Sequence, residues 1–196
     1  METKGLLVVI SAPSGAGKTS VIRKVLATGD ERFRYSISAT TRARRGNERP
    51  GEDYFFLSPE DFDAERLREE FVEWAEVHGH YYATPKTPLD KWLAEGGIVF
   101  LDLDVDGGLA IKDKYNDTAI LIFINPPSYQ SLVDRLRSRE TESQAQIDKR
   151  LERYPKEMQN SQKYDYRIVN EQLDATVKEI IKIVNHHIDK INRTHK

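Results

Sequence analysis

Cysteine is missing from this chain of 196 residues, and methionine and tryptophan occur only twice each. A chain without cysteine forms no disulfides and no thiolate metal sites, which suits a reducing compartment. Long hydrophobic runs are missing as well. The N-terminal run, residues 6–10, is shorter than the about 20 residues of a membrane span and too short for a signal peptide. We therefore expect a cytoplasmic protein with no membrane segment.

An excess of charge of one sign is also missing. The chain has 30 Lys and Arg against 32 Asp and Glu, so that its net charge is -2. This balance gives no reason to expect binding to a nucleic acid polymer or to an anionic membrane. Any function that needs positive charge must therefore depend on a local cluster of basic residues.

Short aliphatic runs alternate with helix-like stretches along most of the chain. Residues 6–10, 98–103 and 119–124 read as strands buried on both faces, as in a parallel sheet, and residues 167–169 as a further strand. The alternation predicts an α/β fold, a P-loop core with a central parallel sheet flanked by helices. The predicted helices are 19–27, 86–94, 108–114, 129–138, 144–161 and 176–191.

Two segments interrupt this alternation, and the chain length fits a single domain that carries both. Residues 33–85 mix aromatic and β-branched residues with turns, which predicts a small mixed-β subdomain with one helix near residues 59–70. Residues 128–162 are helical and rich in arginine, and we expect them to form a mobile lid. The core then consists of residues 1–32, 86–127 and 163–196.

The first predicted strand leads into SAPSGAGKTS, residues 11–20. Residues 12–19 follow the phosphate-loop pattern G-x-x-x-x-G-K-[ST], except that alanine replaces its first glycine. Glycines let backbone N–H groups converge on phosphate oxygens, and Lys18 would reach the β- and γ-phosphates. The alternative is a tight turn without a ligand, but Gly-Lys-Thr after a buried strand favours a nucleotide. The predicted ATP-binding residues here are Ala12, Pro13, Ser14, Gly15, Ala16, Gly17, Lys18 and Thr19.

Two carboxylates, Asp102 and Asp104, end another predicted strand in the sequence IVFLDLD. A phosphate-loop fold holds Mg²⁺ with a carboxylate in this position, often through water. An acidic strand end is common and decides nothing alone. Beside a phosphate loop, it predicts that Thr19 and, through a water molecule, Asp102 bind the metal.

Four arginines cluster within the mixed-β segment, and arginine forks suit phosphate oxygens. A solvated charged loop is the alternative for any such cluster. The position directly after the phosphate-loop helix favours a second anion site that faces the first. The four are Arg42, Arg44, Arg45 and Arg49.

The chain resembles the guanylate kinase family, because it has the motifs of that family in the same order over nearly its whole length. The resemblance implies transfer of the γ-phosphate of ATP to GMP, with Mg²⁺, giving GDP and ADP. It leaves dGMP open as an acceptor, and both a monomer and a homodimer as the assembly. The motifs that carry it are SAPSGAGKTS, SISATTRARRGNERPGEDYFF, EFVEWAEVHGHYYATP, VFLDLDVDG, RLRSRETES and YDYRIVNEQLD.

The resemblance also implies a role for each residue that matches a family motif. The residues that match the GMP phosphate site are Arg42, Arg45, Tyr54 and Tyr82. Those at or near the guanine are Ser38, Glu73, Thr84 and Asp104. Asn170 matches a position near the adenine of ATP. The implied catalytic residues are Lys18, Arg42 and the lid arginines Arg135, Arg139 and Arg150.

The guanine assignment is chemically reasonable. Guanine presents N1–H and N2–H₂ as adjacent donors that one carboxylate, such as Glu73, can accept together, whereas adenine would leave it facing a lone pair. The hydroxyls of Ser38 and Thr84 can donate to O6. Because the GMP phosphate is already largely ionised at neutral pH, we expect no general base and assign no role to the five histidines. Lid closure after GMP binds would keep water away from ATP.

Two other functions remain possible at this stage. One is a non-catalytic guanylate-kinase-like module that binds phosphopeptides through the arginine site, which the retained Lys18 and lid arginines disfavour. The other is a kinase for a different nucleoside monophosphate or a sugar phosphate, which Glu73 together with Ser38 disfavours.

Three further residues depart from the family pattern. Asp106 stands where glutamine is usual and adds a third carboxylate near Asp102, which is expected to affect Mg²⁺ or GMP affinity. Tyr154 and Pro155 stand in a helical region where small or helix-favouring residues are typical. Proline in a helix interior kinks or ends the helix, so we expect an altered lid geometry here.

Overall fold

The computed structural model describes residues 5–77, 79–138 and 144–194. Its strands are β1 (Leu6–Ser11), β2 (Phe33–Ser36), β3 (Ala39–Thr40), β4 (Phe55–Phe56), β5 (Phe71–Val77), β6 (His80–Pro85), β7 (Ile98–Asp102), β8 (Ala119–Asn125) and β9 (Tyr166–Val169). Its α-helices are α1 (Lys18–Leu26), α2 (Pro59–Leu67), α3 (Lys86–Ala94), α4 (Val105–Tyr115), α5 (Tyr129–Arg137), α6 (Gln144–Leu151), α7 (Tyr154–Asn160) and α8 (Leu173–Thr194). Short 3₁₀ turns cover Asn116–Thr118 and Ser161–Lys163.

The strands form two sheets, and the predicted fold class is confirmed. Five strands make a parallel sheet in the order β2-β7-β1-β8-β9, and four make a mixed sheet in the order β4-β3-β6-β5. The chain leaves the parallel sheet after β2 and returns to it at β7. The mixed sheet is therefore an insertion between two neighbouring strands of the core.

The parallel sheet is buried on both faces, as the continuous aliphatic runs predict. Because successive side chains of a strand point to opposite faces, β1 contributes to two apolar clusters. Leu6, Val8 and Ile10 pack with residues of α1 and α8, whereas Leu7 and Val9 pack with residues of α3 and α4. A third, smaller cluster holds α2 against the mixed sheet.

Two segments differ from the predictions. Phe33–Ser36, which the sequence assigns to the insertion, instead pairs with β7 at the edge of the parallel sheet. The predicted single helix over residues 144–161 is wrong: α6 ends at Leu151, and α7 begins at Tyr154 with Pro155 in its first turn. Proline has no N–H for the helical ladder and its ring clashes with the preceding turn, so the expected break at Pro155 is confirmed.

None of the helices within the described residues is long and apolar enough to span a membrane.

Candidate active site

A cavity of about 360 Å³ lies at the carboxyl edge of the parallel sheet, between this sheet and the mixed-β insertion. In parallel sheets this edge is the usual ligand site. Ile10 pairs with Asp102, so the end of β7 lies beside the loop that follows β1. The loop after β1, the end of β7, the mixed sheet and α6–α7 all contribute to its lining: Ala12, Pro13, Ser14, Gly15, Gly17, Lys18, Thr19, Ser20, Ser38, Arg45, Tyr54, Glu73, Ala75, Val77, His80, Tyr82, Ala83, Asp102, Leu103, Asp104, Arg150, Arg153 and Glu157.

The loop between β1 and α1 has a backbone that requires glycine at two positions. Gly15 and Gly17 have φ values of 95° and 96°, a region that side chains disfavour. A Cβ atom on Gly17 would also lie 2.8 Å from Asn170 Nδ2. Ala12, by contrast, is not among the non-glycine residues with positive φ in the described chain. Alanine is therefore compatible with the first position of the pattern.

Lys18 lies at the base of the cavity and connects the loop to the end of β7. Its ammonium donates to Leu103 O at 2.9 Å and pairs with Asp102 Oδ1 at 2.5 Å. Thr19, the next residue, lines the same cavity. The cation and the hydroxyl expected to meet ATP and the metal thus lie together with Asp102.

Three side chains brace the loop from outside. Asn170 Nδ2 donates to Ala16 O at 3.0 Å, and Thr176 holds the Asn170 amide in place with a 3.1 Å hydrogen bond to its oxygen. Arg135 Nη1 donates to the same Ala16 O at 3.3 Å. Arg150 Nη1 donates to Ser14 Oγ at 2.6 Å. Two of the three predicted lid arginines therefore meet at the loop, and the third, Arg139, lies outside the described residues.

On the insertion side, Arg42 is buried with an exposed fraction of 6%. Its guanidinium donates to Tyr82 Oη at 3.2 Å and lies 5.3 Å from the centre of the Tyr54 ring. It also forms a bidentate pair with Glu48, at 2.8 Å and 3.1 Å. Glu48 accepts from the backbone N–H of Arg45 at 2.8 Å as well.

Glu48 is not predicted from the sequence, because nothing there distinguishes it from the other acidic residues of this loop. The cavity itself is lined by Arg45, Tyr54 and Tyr82, whereas Arg42 stands behind them. Burial raises the pKa of Tyr54 to about 12, so its hydroxyl stays protonated and can donate. One buried guanidinium thus stands behind side chains that can donate hydrogen bonds into the cavity.

Glu73 is the carboxylate of the predicted guanine pocket, and Ser38 lines the cavity with it. Thr84 Oγ1 donates to Glu73 Oε1 at 2.6 Å, so this hydroxyl is engaged with the carboxylate rather than directed at an incoming O6. Burial raises the pKa of Glu73 to about 7; the Thr84 hydrogen bond opposes the shift, and the Asp104 charge adds to it. A buried carboxyl with such a shift in a cleft is typical of a binding site.

Asp104 lies beyond the end of β7 and caps α4, since its Oδ1 accepts from Gly107 N at 2.9 Å. Its other oxygen accepts from Arg153 Nη2 at 3.2 Å. Arg153 and Glu157 line the cavity from the N-cap of α7 and from α7 itself, and neither is predicted from the sequence. Burial raises the pKa of Glu157, although the charges of Arg153 and Lys18 oppose this shift.

Asp106, the residue that departs from the family pattern, faces away from Asp102. Its carboxylate accepts from Lys156 Nζ at 2.8 Å and from Asn160 Nδ2 at 3.2 Å. It is absent from the cavity lining. In the structure, the third carboxylate joins α4 to α7.

The histidines to which no role was assigned are spread over the chain. His80 lies at the insertion side of the cavity, and His187 on α8 shares a 2.9 Å hydrogen bond with Tyr166 Oη. His78 lies outside the described residues.

The chain matches proteins of one family along its length. The guanylate kinase family model matches residues 4–187. A guanylate kinase of Thermotoga maritima is 43% identical over 190 residues, which cover 97% of this chain and 91% of the relative. A guanylate kinase of Streptococcus mutans is 40% identical over 200 residues, which cover 100% of this chain and 95% of the relative.

A crystal structure of guanylate kinase from Anaplasma phagocytophilum has the same fold, with a TM-score of 0.77 and 31% identity, covering 95% of this chain and 87% of that chain. These matches extend over the phosphate loop, the insertion and the lid. The chain belongs to the guanylate kinase family.

Proposed function

We propose that this protein transfers the γ-phosphoryl group of ATP to GMP, giving ADP and GDP. One observation supports this most directly: a single cavity is lined by the phosphate loop with Lys18 on one side and by Glu73 with Arg45, Tyr54 and Tyr82 on the other. A donor and an acceptor nucleotide would meet there without any need for a covalent enzyme intermediate. A chain without cysteine suits the reducing cytoplasm, where we place the reaction.

The donor half binds phosphates mainly through backbone. With Gly15 and Gly17 at positive φ, the loop directs N–H groups toward the start of α1, where anions are stabilised. Lys18 adds a charge that would move from Asp102 to the β- and γ-phosphates. Asn170 and Arg135 fix the loop through Ala16 O, and we assign Asn170 to the adenine side of ATP.

A magnesium ion fits the residues present. Thr19 and Asp102 offer hard oxygen ligands next to the phosphate loop, and Mg²⁺ commonly uses one or two protein ligands while water and phosphate fill the rest. Among the described residues, no group of three or more His, Cys, Asp or Glu side chains is placed to hold a metal ion. Bound there with ATP, the ion would neutralise charge on the β- and γ-phosphates.

The acceptor half would orient GMP from both ends. Arg45, Tyr54 and Tyr82 would donate to its phosphate, with Arg42 behind them held by Glu48. Glu73, ionised and steadied by Thr84, would accept N1–H and one N2–H of guanine, while Ser38 would donate to O6. Adenine would leave the buried Glu73 carboxylate facing a lone pair.

In the transfer itself, a GMP phosphate oxygen attacks the γ-phosphorus as the bond to the β–γ bridging oxygen breaks. Since the attacking oxygen is already ionised, the protein's task is to position both nucleotides and to stabilise charge. Lys18 and Arg150 are placed for this at the phosphate loop, and we assign Arg139 to the same group. We expect the lid to close when both nucleotides are bound, which small-angle scattering would detect as a more compact particle.

The test is a coupled assay of ADP formation with ATP·Mg²⁺ and GMP, dGMP, AMP, UMP or CMP. We expect strong turnover with GMP, little with AMP, and a loss of about 1000-fold in kcat for Lys18→Ala. Lys24→Ala is the matched control, because Lys24 lies on the same helix, is largely exposed and pairs with Asp174. If GMP binds but no acceptor turns over, the protein is a binding module; if another monophosphate is preferred, the guanine pocket is misassigned.

A further inference from the structure

Arg153 is a cation in the cavity that the proposed function has not yet used. It is the N-cap residue of α7 and lies in the break between α6 and α7 that precedes Pro155. Its side chain lines the same cavity as Lys18 and Thr19 and is 32% exposed. The guanidinium donates to Asp104 Oδ2 at 3.2 Å.

This pair lies on the wall between the donor and acceptor halves. Asp104 Oδ1 is engaged by Gly107 N, which leaves Oδ2 for Arg153. The Glu73 and Asp104 carboxylates both lie next to Gly107. A Cβ atom placed on Gly107 would be 3.1 Å from Glu73 Oε2 and 3.2 Å from Asp104 Oδ1. Arg153 is therefore held by the carboxylate that neighbours the guanine-binding Glu73.

The hold on Arg153 is weak. At 3.2 Å the contact is longer than the 2.7–2.9 Å that is common for charge-assisted hydrogen bonds. Both side chains are partly open to water, at 32% and 22%, and such ion pairs contribute little. A stronger anion in the same cavity would draw the guanidinium away from Asp104.

We propose that Arg153 is a further catalytic residue, which Asp104 holds at the wall of the cavity until the bound nucleotides draw it onto the transferring phosphoryl group. This role rests on the proposed function. The phosphates of ATP and GMP together bring several negative charges against the carboxylates of Asp104 and Glu157 that neighbour Arg153, and a guanidinium fork matches phosphate oxygens. Once Arg153 leaves Asp104, the Oδ2 atom of Asp104 could accept a hydrogen bond from the second N2–H of guanine.

The chain offers a matched comparison in Lys156. This residue also extends from α7 to a carboxylate of α4, since its Nζ donates to Asp106 at 2.8 Å. It is 67% exposed, and neither it nor Asp106 lines the cavity. If the two pairs only fastened α7 to α4, losing either cation would have a similar effect.

The experiment measures kcat, KM for GMP and the melting temperature for the wild type, Arg153→Met, Arg153→Lys and Lys156→Met. We expect Arg153→Met to lower kcat about 30-fold or more while KM changes less than about threefold, as for a group that acts in the transition state. Arg153→Lys should recover part of kcat, and Lys156→Met should stay within about twofold of the wild type.

A second readout is rescue of Arg153→Met by added guanidinium at millimolar concentration, which a structural role for Arg153 would not predict. An unchanged kcat in Arg153→Met, or a fall in kcat of the same size in Arg153→Met and Lys156→Met, would overturn the assignment. A wild-type protein that does not turn over GMP would instead overturn the proposed function.

Discussion

In the function that we propose, the two halves of the cavity bind phosphate by different means. The donor half is a loop that follows the fully buried strand β1, in which backbone conformation carries the proposed function through Gly15 and Gly17. The acceptor half is a small mixed sheet in which side chains carry it, through the Arg42–Glu48 pair and the Glu73–Thr84 hydrogen bond. The donor half therefore depends on residues that can adopt a particular backbone conformation, and the acceptor half depends on paired polar side chains.

This difference determines how each half should fail. A backbone site tolerates changes in side chains that point away from it but not a Cβ atom at a strained position. A side-chain site tolerates changes in its backbone neighbours but not the loss of one partner of a buried pair, because the other is left unpaired.

The largest effect should come from Gly17→Ala. Gly17 has φ 96°, and the new Cβ would meet the Asn170 amide at 2.8 Å, so that either this amide or the loop that it holds through Ala16 O must shift. We expect kcat/KM for ATP to fall about 100-fold or more, since displacing reacting groups by about 1 Å has that cost. Gly29→Ala is the control, because Gly29 has φ 80° with no atom within 4 Å of its Cβ position. Equal activity losses in both variants would show that strain alone, and not the contact with Asn170, is responsible.

The acceptor half should respond to Glu48→Gln. An amide cannot accept both N–H groups of Arg42, so the buried guanidinium loses its orientation behind Tyr82. We expect KM for GMP to rise about 10-fold or more, the effect of a hydrogen bond to a charged group, with KM for ATP unchanged. Glu52→Gln is the control in the same loop, because both side chains of the Glu52–Arg49 ion pair are exposed to solvent. A rise in both KM values would contradict a role confined to the acceptor.

GMP binding should weaken with acidity. Because the pKa of Glu73 is raised to about 7 and guanine needs the ionised form, affinity should fall about tenfold per pH unit below about 7. The free energy of unfolding should depend on pH in the opposite sense. Between the unfolded and folded pKa values the folded protein keeps the Glu73 proton. The contribution of Glu73 to stability is therefore lost as the pH rises through about 7.

Calorimetric titration with GMP measures this dependence. The phosphate of GMP, with a second pKa near about 6, titrates in the same range. Glu73→Gln separates the two, because it should retain only the phosphate's part of the dependence. An identical pH dependence in wild type and variant would refute the role of Glu73.

The smallest effect should come from Asp106→Asn. The carboxylate faces Lys156 and Asn160 outside the cavity, and the pair with Lys156 is largely exposed. We expect KM for GMP, the Mg²⁺ dependence and stability each to change less than about twofold or about 0.5 kcal/mol. A marked shift in Mg²⁺ dependence would place this carboxylate in the metal site after all.

The sequence predicts the position of the phosphate loop and of Lys18 in the fold, because the residues that form them are neighbours in the chain. A buried aliphatic strand, two glycines and Lys18 lie within residues 6–18, and the backbone shape they require leaves few alternatives. The parallel sheet follows from the same kind of pattern. This pattern does not predict the edge strand β2 as part of the parallel sheet. Only one side of β2 pairs with another strand, and Arg34 and Tyr35 interrupt its aliphatic pattern.

The acceptor half is predictable by family resemblance in its residues but not in their pairings. Glu48 is one acid among several in its loop, and only the folded structure shows that it accepts from both Arg42 and Arg45. Thr84 was expected to donate to guanine, yet it donates to Glu73, which lies opposite it on the neighbouring strand. The break before Pro155 follows from the sequence, but the contact between Arg153 and Asp104 joins residues far apart in the chain and is seen only in the folded structure.

The most direct test compares kcat/KM for GMP with kcat/KM for AMP in the wild type and in Glu73→Gln, with ATP·Mg²⁺ as the donor. We expect the wild type to prefer GMP strongly and the variant to lose about 100-fold of that preference, nearly all of it through GMP. KM for ATP should be unchanged in the variant, because Lys18 and the phosphate loop are not altered. A GMP-to-AMP ratio that stays the same in Glu73→Gln would contradict the account of the acceptor half.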